Sequence, residues 1–351
     1  MKIVTVNTNN KYNVYIDKNC LSQVSNLLFS NGIDSSRRLL VITDSNVDRL
    51  YSGRILSNLK IEGYNCEKFV AESGEEQKNL ATVESIVRYL ASNNYQKKDV
   101  LIALGGGVIG DITGLCASLY MRGIDFVQIP TTLLSAVDAS VGGKTAVDLP
   151  EGKNLIGTFY QPKLVICDID ILNSLPSEIF NEGISEIIKY GIIKDNGILG
   201  LIENNLLYEQ LEEIVYKCIQ IKSNIVTADE KDLGLRRILN FGHTFAHALE
   251  KCSYYKISHG RAVAEGIIFE TVLSSVLSKC SIEYSDYVQK IVNKYFCFSN
   301  SYSFDELYNA MKSDKKNNSG YIKFVLIDGN NNTDIIDVNK DVIKEVYSNI
   351  Y

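Results

Sequence analysis

From Arg38 to Asp168 the chain alternates between two hydrophobic patterns. The runs RLLVITD (38–44), DVLIAL (99–104), FVQIP (126–130) and KLVICD (163–168) are short and almost continuously apolar, which predicts strands buried on both faces of a sheet. Between them lie amphipathic helical patterns, one over 78–92 and another in VIGDITGLCASLYMRG. Strands separated by helices predict a mainly parallel α/β sheet. The opening MKIVTVNTNNKYNVYID reads as a short hairpin. After LNSLPSE the period becomes almost wholly 3.6 as far as residue 300, with few strand signals. A boundary near 175 is therefore expected, dividing an α/β domain (1–175) from an all-α domain (176–351), with YIKFVLID (321–328) the one candidate for a returning strand.

The strand DVLIAL ends in a glycine turn. LIALGGGVIGD satisfies G-x-G-x-x-G at Gly105, Gly107 and Gly110, between a strand and a helix, which is the context of a Rossmann-like dinucleotide site. Bare backbone lets a pyrophosphate approach, and the helix N-terminus offers unpaired N–H donors. The usual acidic residue at the end of the next strand is missing, because Asp125 stands at the start of FVQIP. Asp44, closing RLLVITD, is the better candidate for a ribose hydroxyl. Packing alone also produces such turns.

The second half holds all three histidines, His243, His247 and His259, within FGHTFAHALEKCSYYKISHG. Arg236, Asn240, His243, His247 and Glu250 follow one another at steps of four and three, which predicts one face of a single helix, with Phe241, Phe245, Ala248 and Leu249 turned to the core. Arginine, asparagine and two imidazoles suit a binding wall better than a solvated face. HTFAH lacks the Glu of the H-E-x-x-H metalloprotease helix. In EGISEIIKYGIIK, Glu182, Glu186 and Lys189 form a polar line beside Ile184, Ile187, Ile188 and Ile192; an ordinary exposed ion pair is the bland alternative. Lys222 falls on the apolar stripe of LEEIVYKCIQIKSNIV, so it either snorkels out or enters a polar cavity. Three nitrogen or oxygen ligands with one open position would suit a catalytic divalent ion, and carboxylate, imidazoles and ammonium are all at hand. Spacing leaves open whether the imidazole pair is His243 with His247, or includes His259.

Bulk properties narrow the class. Apolar residues make up 45% and charged residues 22% of 351, ordinary for a water-soluble globular chain. No apolar run is long enough to span a membrane, and the opening segment lacks a signal-peptide core. The eight cysteines have no C-x-x-C or zinc-ribbon spacing and read as reduced packing thiols of a cytoplasmic protein. A net charge of −6 argues against nucleic acid as partner but leaves room for an anionic small molecule where cations cluster.

IPTTLLSAVDASVGGKTAVDLPEGKNLIGTFYQP (129–162), with GGGVIGDITG before it and LRRILNFGHTFAHALE and SHGRAVAEG after it, resembles the 3-dehydroquinate synthase family of sugar-phosphate cyclases, from Asp44 to the DKK at 314–316. The resemblance implies an α/β NAD-binding domain and a helical domain with a cleft between them. It implies a divalent metal, zinc or cobalt, on Glu186, His243 and His259, and it moves His247 to the substrate-phosphate region. NAD would be held by Asp44, Asn46, Glu75, Lys78, Gly105, Gly106, Gly107, Gly110, Asp111, Thr131 and Thr132, with Lys144 and Lys153 serving both cofactor and substrate. The substrate, a seven-carbon keto-acid phosphate, would be met further by Arg122, Asp138, Asn154, Lys189, Lys222, Asp232, Arg236, Asn240, Lys315 and Lys316. Arg122 would act from the neighbouring subunit of a homodimer. A carboxylate and a phosphate on one molecule call for such clustered lysines and arginines.

The implied reaction belongs to the shikimate pathway. NAD oxidises a ring hydroxyl, the new ketone acidifies the adjacent C–H, and phosphate leaves by elimination. NADH returns the hydride, the ring opens, and an internal aldol step closes the carbocycle. The metal acts as Lewis acid toward vicinal hydroxyls. The sequence departs from the family at Asp232 (usually Glu), Arg261 (usually Glu), Glu265 (usually small or apolar) and Ser185 (usually Ala). The rival readings are another sugar-phosphate cyclase, a metal-dependent polyol dehydrogenase of similar architecture, and a non-catalytic NAD- or metal-binding module.

Overall fold

In the computed structural model, which describes residues 1–298, 302–314 and 320–351, the chain divides into two compact units. Unit 1 holds Met1–Pro176 and Val215–Lys231; unit 2 holds Ser177–Ile214 and Asp232–Tyr351. Lys315 and Lys316 lie outside the described residues.

Unit 1 is built on strands β1 (Lys2–Val6), β2 (Tyr12–Asp17), β3 (Leu39–Asp44), β4 (Cys66–Ala71), β5 (Val100–Gly105), β6 (Asp125–Pro130), β7 (Lys144–Leu149), β8 (Gly152–Phe159) and β9 (Leu164–Asp168). Seven of them form one sheet in the order β1-β2-β9-β6-β5-β3-β4. All its pairings are parallel except β1 with β2, the hairpin at the start of the chain. Alternation explains the apolar runs. Leu39, Val41, Val100, Ile102 and Leu104 enter the core beneath helices α1 (Val24–Ser30) and α3 (Gly53–Ile61), beyond the single turn α2 (Ser45–Val47). Leu40, Ile42, Leu101 and Ala103 enter the opposite core with α4 (Leu80–Ser92) and α5 (Gly107–Leu119). From β3 the chain moves outward to β4, then returns to the other side of β3 as β5 and continues to β6. The direction of winding therefore reverses between β3 and β5, and ligands of doubly wound sheets bind outside the strand ends at such a point. Asp44 and Gly105 stand at those ends.

Unit 2 contains α6 (Ser177–Lys194), α7 (Asn196–Glu203) and the start of α8 (Leu211–Ala228), whose residues from Val215 belong to unit 1. It continues through α9 (His243–Cys252), α10 (His259–Val276), α11 (Ile282–Val292), α12 (Phe304–Asp314), β10 (Tyr321–Ile327), β11 (Thr333–Asn339) and α13 (Lys340–Ile350). Helix α10 is buried along most of its length, with Phe269 stacked on Phe245 of α9 at 4.1 Å.

Four differences from the sequence expectation have identifiable causes. The second part is not all helical: β10 pairs antiparallel with β11, and the strand within 321–328 is real. The boundary is not a single cut. Val215–Lys231 joins unit 1, where Ser223 donates to the Thr5 carbonyl, Thr227 accepts from the Asn7 N–H, and Glu230 accepts from the Asn9 N–H and the Gln161 side chain. The glycine-turn helix stops at Leu119, because Met121 and Arg122 take left-handed backbone (φ 47° and 60°). The expected helix through 236–250 is broken: Leu235–Asn240 is a short 3-10 turn, and Gly242 (φ 82°) separates it from α9. A Cβ on Gly266 of α10 would lie 1.9 Å from the Gly242 carbonyl oxygen, so the break coincides with the closest approach of the two segments.

The unusual Glu265 is buried on α10 and accepts a hydrogen bond from the Tyr351 hydroxyl. Burial raises its carboxyl pKa, although Tyr351 and Arg261 pull the other way. A carboxyl whose folded value is raised favours the protonated form. Stability therefore falls as pH rises from the unfolded value, about 4.3, through the folded one, and the cost of the buried carboxylate is complete above it. Glu265→Gln should unfold in urea like the parent near pH 4 and be more stable on the order of 1 kcal/mol near pH 8; an equal gap at both pH values would exclude the linkage.

Candidate active site

Glu186 lies midway along α6, among Ile184, Ile187 and Ile188, and is 1% exposed. Lys189, one turn on and equally buried, forms an ion pair with Glu186 Oε2. Glu186 and Lys189 of the polar line read from the sequence are therefore interior, with Glu182 half-buried, and the exposed-pair alternative is wrong. Two imidazoles face the other oxygen. His243 Nε2 is 3.4 Å and His259 Nε2 is 3.7 Å from Glu186 Oε1. Ligand atoms of Glu186, His243 and His259 all fall within 4.8 Å of one another. This geometry comes from helix ends: His243 and His259 are the first residues of α9 and α10. A Cβ on Gly260 would lie 2.4 Å from the Glu182 backbone, so only glycine lets the start of α10 come this close to α6.

The outer nitrogens are engaged too. His243 Nδ1 is 3.1 Å from the Phe241 carbonyl oxygen, and His259 Nδ1 is 3.5 Å from Glu250 Oε1. Burial opposes the charge on Glu186, yet Lys189 and the two imidazoles outweigh it and hold the carboxyl well below its usual range. Burial lowers the pKa of His243. Burial also acts against the charge on His259, but Glu186 and Glu250 raise its pKa to about 10. A buried carboxylate facing two Nε2 atoms, with no sulfur in the cluster, is a donor set that fits a divalent cation of the zinc or cobalt type. Such a cation would displace the imidazole proton on binding.

His247, one turn beyond His243 on the same helix, is exposed and stands outside this cluster, its ring centroid 5.7 Å from that of His243. The i,i+4 pair is therefore not the converging one. Arg236 is buried and Asn240 exposed on the 3-10 turn, while Asp232 lies before it with left-handed backbone (φ 59°). A cavity of about 350 Å³ brings Asp232 and Asn240 together with Arg237 and Lys323, two cations that sequence reading did not select. Among the other departures, Ser185 Oγ donates to the Glu182 carbonyl and Arg261 to the Cys297 carbonyl.

In unit 1 the glycine turn stands at the winding reversal. Gly105 ends β5, Gly106 caps α5 with extended backbone, Gly107 is its first residue, and Gly110 is buried one turn on. Asp44 Oδ1 accepts from the N–H groups of Asn46 (2.9 Å) and Val47 (3.0 Å), so Oδ2 remains for a further donor. Thr131 is buried after β6, and Thr132 Oγ1 donates to Ser135 at 2.9 Å. Lys78, expected inside a helix, lies outside α4, whose cap is Asn79. Lys78 Nζ meets Asp111 Oδ2 at 2.7 Å and donates to Asn154 Oδ1 at 2.6 Å. Burial raises the Asp111 carboxyl pKa, with Lys78 opposing; for Lys78, burial is outweighed by Asp111 and Glu75, and its pKa rises. Lys153 reaches Glu75 at 3.5 Å. Lys222 does not snorkel: its Nζ pairs with Asp138 Oδ2 at 3.0 Å and donates to the Asp138 carbonyl at 2.7 Å. Lys144 and Arg122 are exposed. Lys144 and Asn154 sit on the β7–β8 hairpin, which sequence reading missed; its six- and eight-residue strands carry polar and glycine positions in place of an apolar run.

Two family models cover most of the chain: 3-dehydroquinate synthase N-terminal over residues 68–182 and 3-dehydroquinate synthase C-terminal over 183–317. A 3-dehydroquinate synthase of Clostridium kluyveri is 40% identical, covering 100% of this chain and 99% of its own length. Among solved structures, 2-epi-5-epi-valiolone synthase of Streptomyces hygroscopicus subsp. jinggangensis, with NAD+ and Zn2+ bound, has a TM-score of 0.89 at 25% identity and covers 99% of this chain and 98% of its own. A 2-deoxy-scyllo-inosose synthase complexed with carbaglucose-6-phosphate, NAD+ and Co2+ has a TM-score of 0.88 at 24% identity, covering 98% and 99%.

The glycines of the turn are not equivalent. A Cβ on Gly105 would lie 2.6 Å from Ile109 Cβ, whereas one on Gly107 would meet Ala139 Cβ at an ordinary 3.7 Å. Gly105→Ala should lower stability in urea by roughly 1–3 kcal/mol through overpacking, and Gly107→Ala should leave it within about 0.5 kcal/mol.

Proposed function

The chain belongs to the 3-dehydroquinate synthase family and carries its activity, the conversion of 3-deoxy-D-arabino-heptulosonate 7-phosphate to 3-dehydroquinate and phosphate; from that premise we propose that it is a NAD- and metal-dependent, phosphate-eliminating lyase acting in the cytoplasm as a homodimer. The observation that carries this reading is the convergence of Glu186, His243 and His259. Among the described residues no helix is long and apolar enough to cross a membrane, and the cysteines are free thiols.

We assign NAD to unit 1, where the glycine turn and Asp44 flank the winding reversal, with Asn46, Glu75, Lys78, Asp111, Thr131 and Thr132 around them. Glu186, His243 and His259 would hold one zinc or cobalt ion. When bound, the cation supplies Lewis acidity toward substrate hydroxyls and the nicotinamide supplies a reversible hydride acceptor.

The remaining work falls to side chains of the protein. The Lys189 ammonium, fixed by Glu186, keeps a positive charge beside the ligand set, where developing alkoxide needs stabilising. Arg236 on its buried turn, with Asn240, His247 and Asp232, is assigned to the substrate in unit 2, and Lys144, Lys153, Asn154, Asp138 and Lys222 in unit 1. Asp111 and Asn154 hold the Lys78 ammonium in place, and Asp138 does the same for Lys222. Each cation is thus oriented before an anion arrives, which lowers the entropy lost on binding. Lys315 and Lys316 keep the substrate roles the resemblance gives them, and exposed Arg122, on left-handed backbone, is assigned to the neighbouring subunit's substrate.

The heptulosonate phosphate should release one phosphate per dehydroquinate formed without net accumulation of NADH. Stoichiometric NADH would identify a polyol dehydrogenase, and a different carbocycle another cyclase. Exhaustive chelation should abolish turnover and zinc or cobalt restore it; His259→Ala should lose metal and activity while NAD affinity stays within about twofold. Full activity in the chelated enzyme would exclude the metal role.

A further inference from the structure

Glu250 completes the polar stripe on α9, yet none of the roles above uses it. It lies two turns after His243 and is 2% exposed, although its side chain is a carboxylate. Its Oε1 is 3.5 Å from His259 Nδ1, while Nε2 of the same ring faces Glu186. We propose that Glu250 is a positioning residue that fixes the tautomer and ring orientation of His259 and strengthens it as a metal ligand; the proposal rests on the metal reading of Glu186, His243 and His259.

The reasoning is stereochemical. An imidazole that offers the Nε2 lone pair to a cation must carry its proton on Nδ1, and the acceptor facing that N–H sets the ring's tautomer and orientation. For His243 the group facing Nδ1 is the neutral Phe241 carbonyl at 3.1 Å; for His259 it is a carboxylate, in ion-pair contact at 3.5 Å. A carboxylate draws the Nδ1 proton more strongly than a carbonyl and leaves Nε2 the better electron donor. The two imidazoles are thus unequal ligands, and His259 is the stronger. His259 also begins its helix and is about a third exposed, so a carboxylate from α9 supplies orientation that packing at that end does not. Glu250 is held in turn, since its backbone carbonyl accepts from the Tyr255 N–H (2.7 Å) and from Ser253 Oγ (2.9 Å) across the turn that leads to His259.

The test is zinc affinity of the full chain, measured by competition with a chromophoric chelator, in the parent, Glu250→Gln and Glu250→Ala. Gln keeps an acceptor but loses the charge, so about tenfold weaker zinc binding is expected, and up to about a hundredfold for Ala. The cobalt-loaded variants should show altered visible d–d bands, and NAD affinity should not move. If Glu250→Ala does not fold, Glu250→Gln decides alone. Parent and Glu250→Gln binding zinc equally, with identical cobalt spectra, would overturn the role of Glu250 while leaving the metal reading intact. A parent that binds no divalent cation would overturn both.

Discussion

A carboxylate with almost no access to water is the constraint on which unit 2 is organised. An ion of this kind costs several kcal/mol to desolvate and persists only beside compensating charge and hydrogen-bond donors. Glu186 has one ammonium on its own helix and two imidazoles that arrive from elsewhere in the chain. Those arrivals need backbone contact closer than side chains permit. Gly260 lets α10 meet α6, and Gly266 lets the start of α9 meet α10, so two positions without a Cβ bring together ligands that stand far apart in the chain. The ammonium of Lys189 answers the carboxylate without competing for the imidazole side, because it takes Oε2 while both rings face Oε1. The chemistry proposed for the chain follows from this arrangement: a polarising cation and a fixed ammonium side by side.

Unit 1 solves a different problem, holding cations ready in an acidic protein. Lys78 and Lys222 are almost entirely buried and each is tied to an aspartate, Asp111 or Asp138. Pairs like these add little net stability and lose a great deal if one partner is removed. In the proposed reading their value is orientation: an ammonium already stripped of water and aimed would cost less to present to a phosphate or carboxylate. The glycine turn is divided in the same spirit, Gly105 being required by packing against Ile109 and Gly107 leaving open backbone at the helix end.

Four inner strands of the sheet were legible because parallel strands buried on both faces leave continuous apolar runs, and the hairpin at 2–17 and the glycine turn were legible from local rules; the edge strand β4, only partly buried and carrying Glu67 and Lys68, was not. The histidine window was legible only as a class, a metal or acid/base site, since three imidazoles in one window are hard to explain otherwise. Which two imidazoles meet was not. Spacing along one helix favours His243 with His247, whereas the convergence of His243 and His259 arises from two helix starts brought together by glycine contacts that leave no periodic trace. The same blindness turned the interior pair of Glu186 and Lys189 into a possible surface pair, and ran a helix through Gly242. The β7–β8 hairpin escaped because its strands mix polar, glycine and few apolar positions and lack the apolar run, although Thr145 and Val147 of β7 are buried. Resemblance to a family supplied the ligand assignment before tertiary structure did; the residues alone left it open.

X-ray absorption at the cobalt edge of the cobalt-loaded protein tests the convergence most directly, because it reads the ligand atoms around the ion without reference to activity. A shell of nitrogen and oxygen only, with outer-shell scattering from two imidazole rings, is the predicted spectrum. A sulfur neighbour, or scattering from a single imidazole, would contradict it.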